Sequence, residues 1–326
     1  MLSTTPLRDP ANSLAPLLCV QCKEKDVDLD ALRDVIRKFV SRIPHVTMRF
    51  DPPPTAALQA AVKTELCALK VPLHLIERWI RWSCQVVECF YPLHILELKV
   101  LLAICNIIIF HIDDTLSRTP AILLSFQLNI AMGRPQNEPI LACLANDILP
   151  RMWSYFHPLA ANAIVIGFQE FINGTIMENM ACSILPISAS APSFPEYVRL
   201  KSGAPAPYAF WLFPRDSHPD VRTYIQAIPD LMAFINRVND ILSLYKEELA
   251  GEDDNYVHMR STLSSRNIVD TVKEICDETI AEMNRITVTL SHDPAAQATF
   301  QGYVSGYLRF HFSTTRYRLE DLFGDS

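Results

Sequence analysis

The chain has 326 residues, 49% of them hydrophobic, and a formal net charge of −7 with a pI near 5.7. That hydrophobic content supplies a large buried core, in one large domain or two small ones. The acidic balance gives a nucleic-acid role no electrostatic support, so an anionic ligand has to be held by local cations or metal rather than by a global field.

With only 8 Gly, few alternating runs and long apolar stretches at helical spacing, the chain is expected to be all-α, a single-domain helical bundle. The 23 Pro fall largely between those stretches, where they separate helices. Residues 1–27 form a weakly ordered N-terminal segment and 28–326 the helical domain. Helices are expected at about 28–43, 55–69, 73–90, 92–117, 119–132, 138–156 and 158–185, the last with small residues inside it. Pro186 to Pro195 is a loop, followed by a short helix near 195–201, a break at 203–207 and an apolar piece at 208–213. One helix is expected over 219–250, an acidic loop over 251–262, and two long helices over 263–289 and 294–323.

Leu93 to Ile112 is the one candidate membrane span, but His94, Glu97, Lys99 and Asn106 interrupt it, so a buried core helix is the better reading. No targeting segment stands out; the patch from Leu14 to Val20 is broken by Pro16 and lacks a cleavage pattern. The 9 Cys, odd in number and among apolar neighbours, read as reduced core residues of an intracellular, cytoplasmic protein. Cys19 and Cys22 form a lone CxxC with no second pair, which argues against zinc.

Asn239, Ser243 and Glu247 recur at i, i+4 and i+8 and share one helix face. An amide oxygen, a hydroxyl and a carboxylate so stacked suit a hard divalent cation such as Mg²⁺, which keeps waters and shares protein oxygens with a substrate phosphate. The same spacing describes any solvated stripe, yet Val238, Ile241, Leu242, Leu244 and Tyr245 around it are apolar, which favours an internal site. Lys246 flanks the last ligand. Upstream, Asp113 and Asp114 end the most apolar stretch; they either cap a helix end and pair with Arg118, or bind metal together with the 239/243/247 face. Asn106 and Phe110 share the face of Asp113 and would line the cavity it crowns. Arg316 and Tyr317 are candidate phosphate donors, as is Arg199, with Lys201 its competitor. Each has an ordinary packing role as the alternative.

Together these residues resemble the class I terpene cyclases, in particular the trichodiene-synthase-like group of fungal sesquiterpene cyclases. Asn239-Asp240-x-x-Ser243-x-x-Lys246-Glu247 is similar to that group's second metal motif at every defining position. Gly302-Tyr303-Val304 with Arg316-Tyr317-Arg318-Leu319 resembles its C-terminal helix and Arg-Tyr pair, and Phe194-Pro195 to Arg199, then Gly203, its diphosphate-sensing segment. The order and spacing hold from about residue 90 to 323; the first 85 residues carry no matching motif. One departure stands out: the first motif usually ends in an acid, whereas here it reads Asp113-Asp114-Thr115-Leu116-Ser117.

The resemblance implies a class I terpenoid synthase bundle acting on farnesyl diphosphate. Metal ligands would be Asp113, Asp114, Asn239, Ser243 and Glu247 around three Mg²⁺. Arg199, Lys246, Arg316 and Tyr317 would hold the diphosphate, with Asp113, Arg316 and Tyr317 the catalytic set. Phe90, Asn106, Phe110, Phe210, Trp211 and Phe312 would wall the cavity, where aromatic faces stabilise a carbocation. Two rivals remain: a prenyl diphosphate synthase, which normally carries two Asp-rich motifs, and an isoprenoid-binding protein without turnover, for which Ser117 is the support. Glu252-Asp253-Asp254 is read as a solvated turn rather than a lid. No interface signature decides for or against a homodimer.

Overall fold

The computed structural model describes residues 27–44, 51–183 and 187–323. The expected N-terminal segment and the Cys19–Cys22 pair lie outside the described residues, save Val27 at the segment's end. Among the described residues every regular element is helical. Among the described residues no helix is long and apolar enough to cross a membrane.

The centre of the molecule is α4 (Leu96–Asp114), apolar on all sides and buried from Leu98 to Ile112 apart from Lys99 and Phe110. Such a helix has no solvent face and must be surrounded. Leu101, Leu102, Ile104, Ile107 and Ile112 are fully buried, each contributing roughly 1.5–3 kcal/mol against the entropy of ordering the chain. Against it packs α3 (Leu73–Phe90), whose Ile76, Trp79, Ile80, Ser83, Val87 and Phe90 recur at helical spacing and face inward. α3 in turn packs on α14 (Pro294–Ser313). Gly306 allows this approach, because a Cβ there would lie 1.8 Å from the Cys89 carbonyl oxygen.

The other half is built from α8 (Pro158–Ser183), α9 (Phe194–Ser202), α10 (Pro205–Phe210), α11 (Ile228–Ala250) and α13 (Ile268–Thr289), with α11 packed on α13 and α8 on α9. Arg237 fastens the far side of α11 by ion pairs to Glu282 and, at 3.4 Å, Glu196.

Several expected boundaries move. The stretch 138–156 is not one helix: it runs through α6 (Pro139–Cys143), a π turn at Leu144–Ile148, a 3₁₀ turn at Leu149–Arg151 and α7 (Met152–Tyr155). Pro150 has no N–H to give and crowds the preceding turn, which widens to accept it. Residues 221–227 form 3₁₀ turns, and α11 starts only at Ile228, with Pro229 in its first turn. The expected loop over 251–262 is mostly α12 (Tyr256–Ser264), opened by Asn255, whose side chain accepts from the His258 N–H. Asn267 caps α13 in the same way, which moves its start to Ile268. The last expected helix stops at Ser313. Thr314 is extended, and Arg316 and Tyr317 sit on a 3₁₀ turn before Arg318 at φ 54°.

Candidate active site

A cavity of about 480 Å³ opens between α3, α4, α8, α9, α10, α11 and α14. Its lining changes character in the same sense along four helices. On α4, Ile109 and Phe110 give way to Asp113; on α8, Phe171 to Glu178; on α11, Ile235 to Asn239, Ser243 and Glu247; on α14, Phe310 to His311 and, on the turn beyond its end, Arg316. One end of the cavity is therefore apolar and the other polar. The polar end gathers helix C-termini, whose partial negative charge draws cations and burdens carboxylates.

Asp113 is reached by solvent through the cavity but is otherwise ringed by protein. Burial raises its carboxyl to about 6, with Glu178 and Asp114 adding to the rise and Arg316 and Arg199 opposing it. The same cavity is lined by Asn239, Ser243 and Glu247 of α11. Arg199 binds this wall three times, from Nε to Asp240 Oδ1 at 2.7 Å and from Nη2 to Asn239 Oδ1 at 3.1 Å and the Asn236 carbonyl at 3.4 Å. Burial pushes Asp240 up to about 7 in spite of that partner. Glu247 accepts from Lys246 at 3.0 Å and from the Asn255 amide at 3.1 Å. Gly203 leaves room for these side chains: a Cβ there would lie 2.1 Å from Asn236 Oδ1 and 2.6 Å from Arg199 Nη1 and displace them.

Arg316 and Tyr317 reach the cavity from their turn. Arg316 lies 5.5 Å over the Trp82 ring, and the Tyr317 ring lies 4.3 Å from His311. Burial raises the Tyr317 hydroxyl to about 12, so it stays a donor. Of the two competing cations on α9, Arg199 lines the cavity, while Lys201 turns away to Glu170. Glu252 and Asp254 also line the cavity, from the turn between α11 and α12.

Five expected site residues are not in the wall. Asp114 is absent from the lining and accepts from the indole of buried Trp79 at 3.0 Å. Asn106 is fully buried behind Tyr208. Phe210 and Trp211 are buried in the core, since on short α10 it is Tyr208 that faces the cavity. Phe312 packs on Phe323 at 5.0 Å; Phe310, two positions back and so on a different face of α14, is the lining residue. Phe90 and Phe110 do line the cavity. Sequence reasoning missed Glu178, Tyr208 and His311. Glu178-Asn179 near the end of an apolar helix is the signal that had singled out Asp113-Asp114, whereas nothing local marks Tyr208.

Among the described residues no three His, Cys, Asp or Glu side chains gather as a closed metal cluster. The candidate ligands are instead the carboxylates of Asp113 and Glu247 with the amide and hydroxyl oxygens of Asn239 and Ser243, Asp240 on the same helix being paired with Arg199. Such a sparse, all-oxygen set fits Mg²⁺, which keeps waters and completes its shell with substrate phosphate.

Residues 55–326 match the family model of trichodiene synthase. The chain is 36% identical over 246 residues to the terpene synthase BipA of Cochliobolus sativus, covering 74% of this chain and 75% of that protein. It is 30% identical over 292 residues to monoterpene synthase 25 of Postia placenta, covering 90% and 87%. Its backbone follows the linalool/nerolidol synthase of Streptomyces clavuligerus with a TM-score of 0.60 at 15% identity, over 82% of this chain and 98% of that one. That last likeness is one of fold.

Proposed function

The chain belongs to the trichodiene synthase family, and on that premise we propose that this terpene cyclase is a sesquiterpene synthase that ionises farnesyl diphosphate with Mg²⁺ and cyclises the resulting carbocation. The observation that carries the reading is the polarity gradient of the cavity, with Asp113, Asn239, Ser243 and Glu247 at one end and aromatic and aliphatic walls at the other.

Asp113, Asn239, Ser243 and Glu247 would hold the metal, three ions in our reading; Asp114, committed to Trp79, is left out. When bound, Mg²⁺ neutralises charge on the departing diphosphate. Arg199, Lys246, Arg316 and Tyr317 donate hydrogen bonds to the same group and fix where it sits. Phe90, Phe110, Phe171 and Phe310 surround the isoprenoid chain, exclude water and offer π-faces to positive charge. The unpaired thiols of Cys67, Cys84, Cys89, Cys105, Cys143 and Cys276 agree with a reducing, cytoplasmic setting.

The test is a product assay with farnesyl and geranyl diphosphate, with and without Mg²⁺, read by gas chromatography and mass spectrometry. A Mg²⁺-dependent fifteen-carbon hydrocarbon or alcohol is expected. Turnover of geranyl diphosphate alone would replace the fifteen-carbon substrate by a ten-carbon one. No turnover of either, nor of geranylgeranyl diphosphate, would favour a binding protein, and Ser117 is the first position to restore to an acid.

A further inference from the structure

A polar pair stands at the cavity with no part in the reading above. Asn106 is in the middle of α4, fully buried among aliphatic neighbours. Its Nδ2 donates to the Leu102 carbonyl at 2.8 Å, which turns Oδ1 toward α10, and there the Tyr208 hydroxyl donates to it at 2.6 Å. A buried amide in so apolar a helix is costly unless both its ends are satisfied. Here they are, and the residue that benefits is Tyr208.

Tyr208 is held from every side. The Tyr91 hydroxyl donates to its carbonyl at 3.0 Å, and its ring meets Trp211 at 5.1 Å and Phe90 at 6.3 Å. Pro205 and Pro207 stiffen the short helix that carries it. Tyr208 is only partly buried, and it lines the cavity. Burial, with Tyr317 adding to it, holds the phenol far above its ordinary range, so it keeps its proton. That one proton is committed to Asn106. What the hydroxyl has left to offer is oxygen lone pairs.

We propose that Tyr208 is a specificity-determining residue for cyclisation, its oxygen oriented by Asn106 to stabilise positive charge on the substrate-derived carbocation. This rests on the cyclase reading above. No bond forms to the tyrosine, and it neither gains nor loses a proton. The interaction is ion–dipole, and it is strong because the surrounding walls exclude water. Cation isomers whose charge lies beside Tyr208 are favoured over those whose charge lies elsewhere, and the product ratio follows that preference. Asn106 is a positioning residue: without it the hydroxyl rotates and the lone pairs lose their aim.

Tyr208→Phe keeps the ring and removes only the oxygen. Two readouts test it. The first is the product distribution, which is expected to shift about threefold or more in the ratio of major to minor products, an ion–dipole preference of the order found in water-excluded sites. The second needs no turnover: calorimetric binding of benzyltriethylammonium, a quaternary cation, in the presence of Mg²⁺ and inorganic diphosphate. Its affinity is expected to fall roughly three- to tenfold. Asn106→Leu should shift the products in the same direction, and the double variant should shift them no further than Tyr208→Phe alone, which a merely structural role of Asn106 would not produce. A Phe variant with unchanged probe affinity and product profile would overturn the proposal. Should the parent protein turn over no prenyl diphosphate, the cyclase reading fails, and the ammonium titration still decides whether Tyr208 holds a cation.

Discussion

Arg199 and Asp240 form an ion pair at 2.7 Å, 41 positions apart in sequence, and both side chains are largely removed from solvent. The cation proposed to meet the diphosphate is thus lodged against the α11 motif. Asp240→Asn leaves the guanidinium in a buried site without its charged partner. Stability is expected to drop on the order of 3 kcal/mol, measured by urea unfolding at pH 8, where Asp240 is ionised. A variant as stable as the parent would show that Arg199 is held by its other contacts.

Asp113→Asn is expected to lower turnover about 100-fold or more with the helical circular-dichroism spectrum intact. The parent carboxyl sits at about 6, raised first by burial, so protons compete for it below neutrality. Apparent Mg²⁺ affinity should therefore weaken about tenfold between pH 7 and pH 5. Mg²⁺-induced thermal stabilisation at the two pH values measures this, and a flat response would remove Asp113 from the metal set.

Ser117 takes the place of the customary acid and spends its hydroxyl on the Asp113 carbonyl at the end of α4. Ser117→Asp adds charge at the cavity edge. We expect the Mg²⁺ concentration for half-maximal activity to fall several-fold, about threefold, since ligand charge tunes affinity at such sites. An unchanged requirement would show that this position does not reach the metals.

Two glycines on α14 give opposite expectations for one substitution. Gly302→Ala meets nothing within 4 Å and should stabilise by roughly 0.5–1 kcal/mol, the helix preference of alanine. Gly306→Ala drives a methyl into the Cys89 backbone, which cannot swing aside, and should destabilise by about 3 kcal/mol or more. Thermal melts of the two variants decide between packing and propensity.

His94 is kept neutral by burial, down to about 4, with its ring against Tyr91 and Nε2 at 2.8 Å from the Trp211 carbonyl. The unfolded chain takes up this proton first, from about pH 6.5 downward. The corresponding stability is present above pH 6.5 and lost as the pH falls toward 4, about 3 kcal/mol in all. Unfolding free energy against pH should fall less steeply over that interval in His94→Gln.

How much of this was legible in the sequence follows a simple division. Periodicity placed α3, α4 and α11, because an apolar stripe or an apolar run survives any arrangement of neighbours. It also put Asn239, Ser243 and Glu247 on one helix face, while their pairing with Asp113 came only from the family resemblance. Boundaries set by a single cap were lost: Asn255 opens α12 inside what reads as an acidic loop. Wall residues were lost where helix phase decides, so that Phe310 lines the cavity and Phe312 does not. Tyr208 and Asn106, 102 positions apart, meet only once the chain has folded. The thirteen-residue span between Phe194 and Ala206 shows the same limit, for only packing separates Arg199 from Lys201.

Asn255 ties two helices together at the polar end. Its oxygen holds the His258 N–H that begins α12, while its nitrogen holds Glu247 on the last turn of α11. A single amide cannot turn toward one of these without slackening on the other. The end of one helix and the start of the next are geared together, so any pull on Glu247 is felt at the His258 amide. That proton's exchange rate with solvent is a reporter, outside the cavity, of what happens within it.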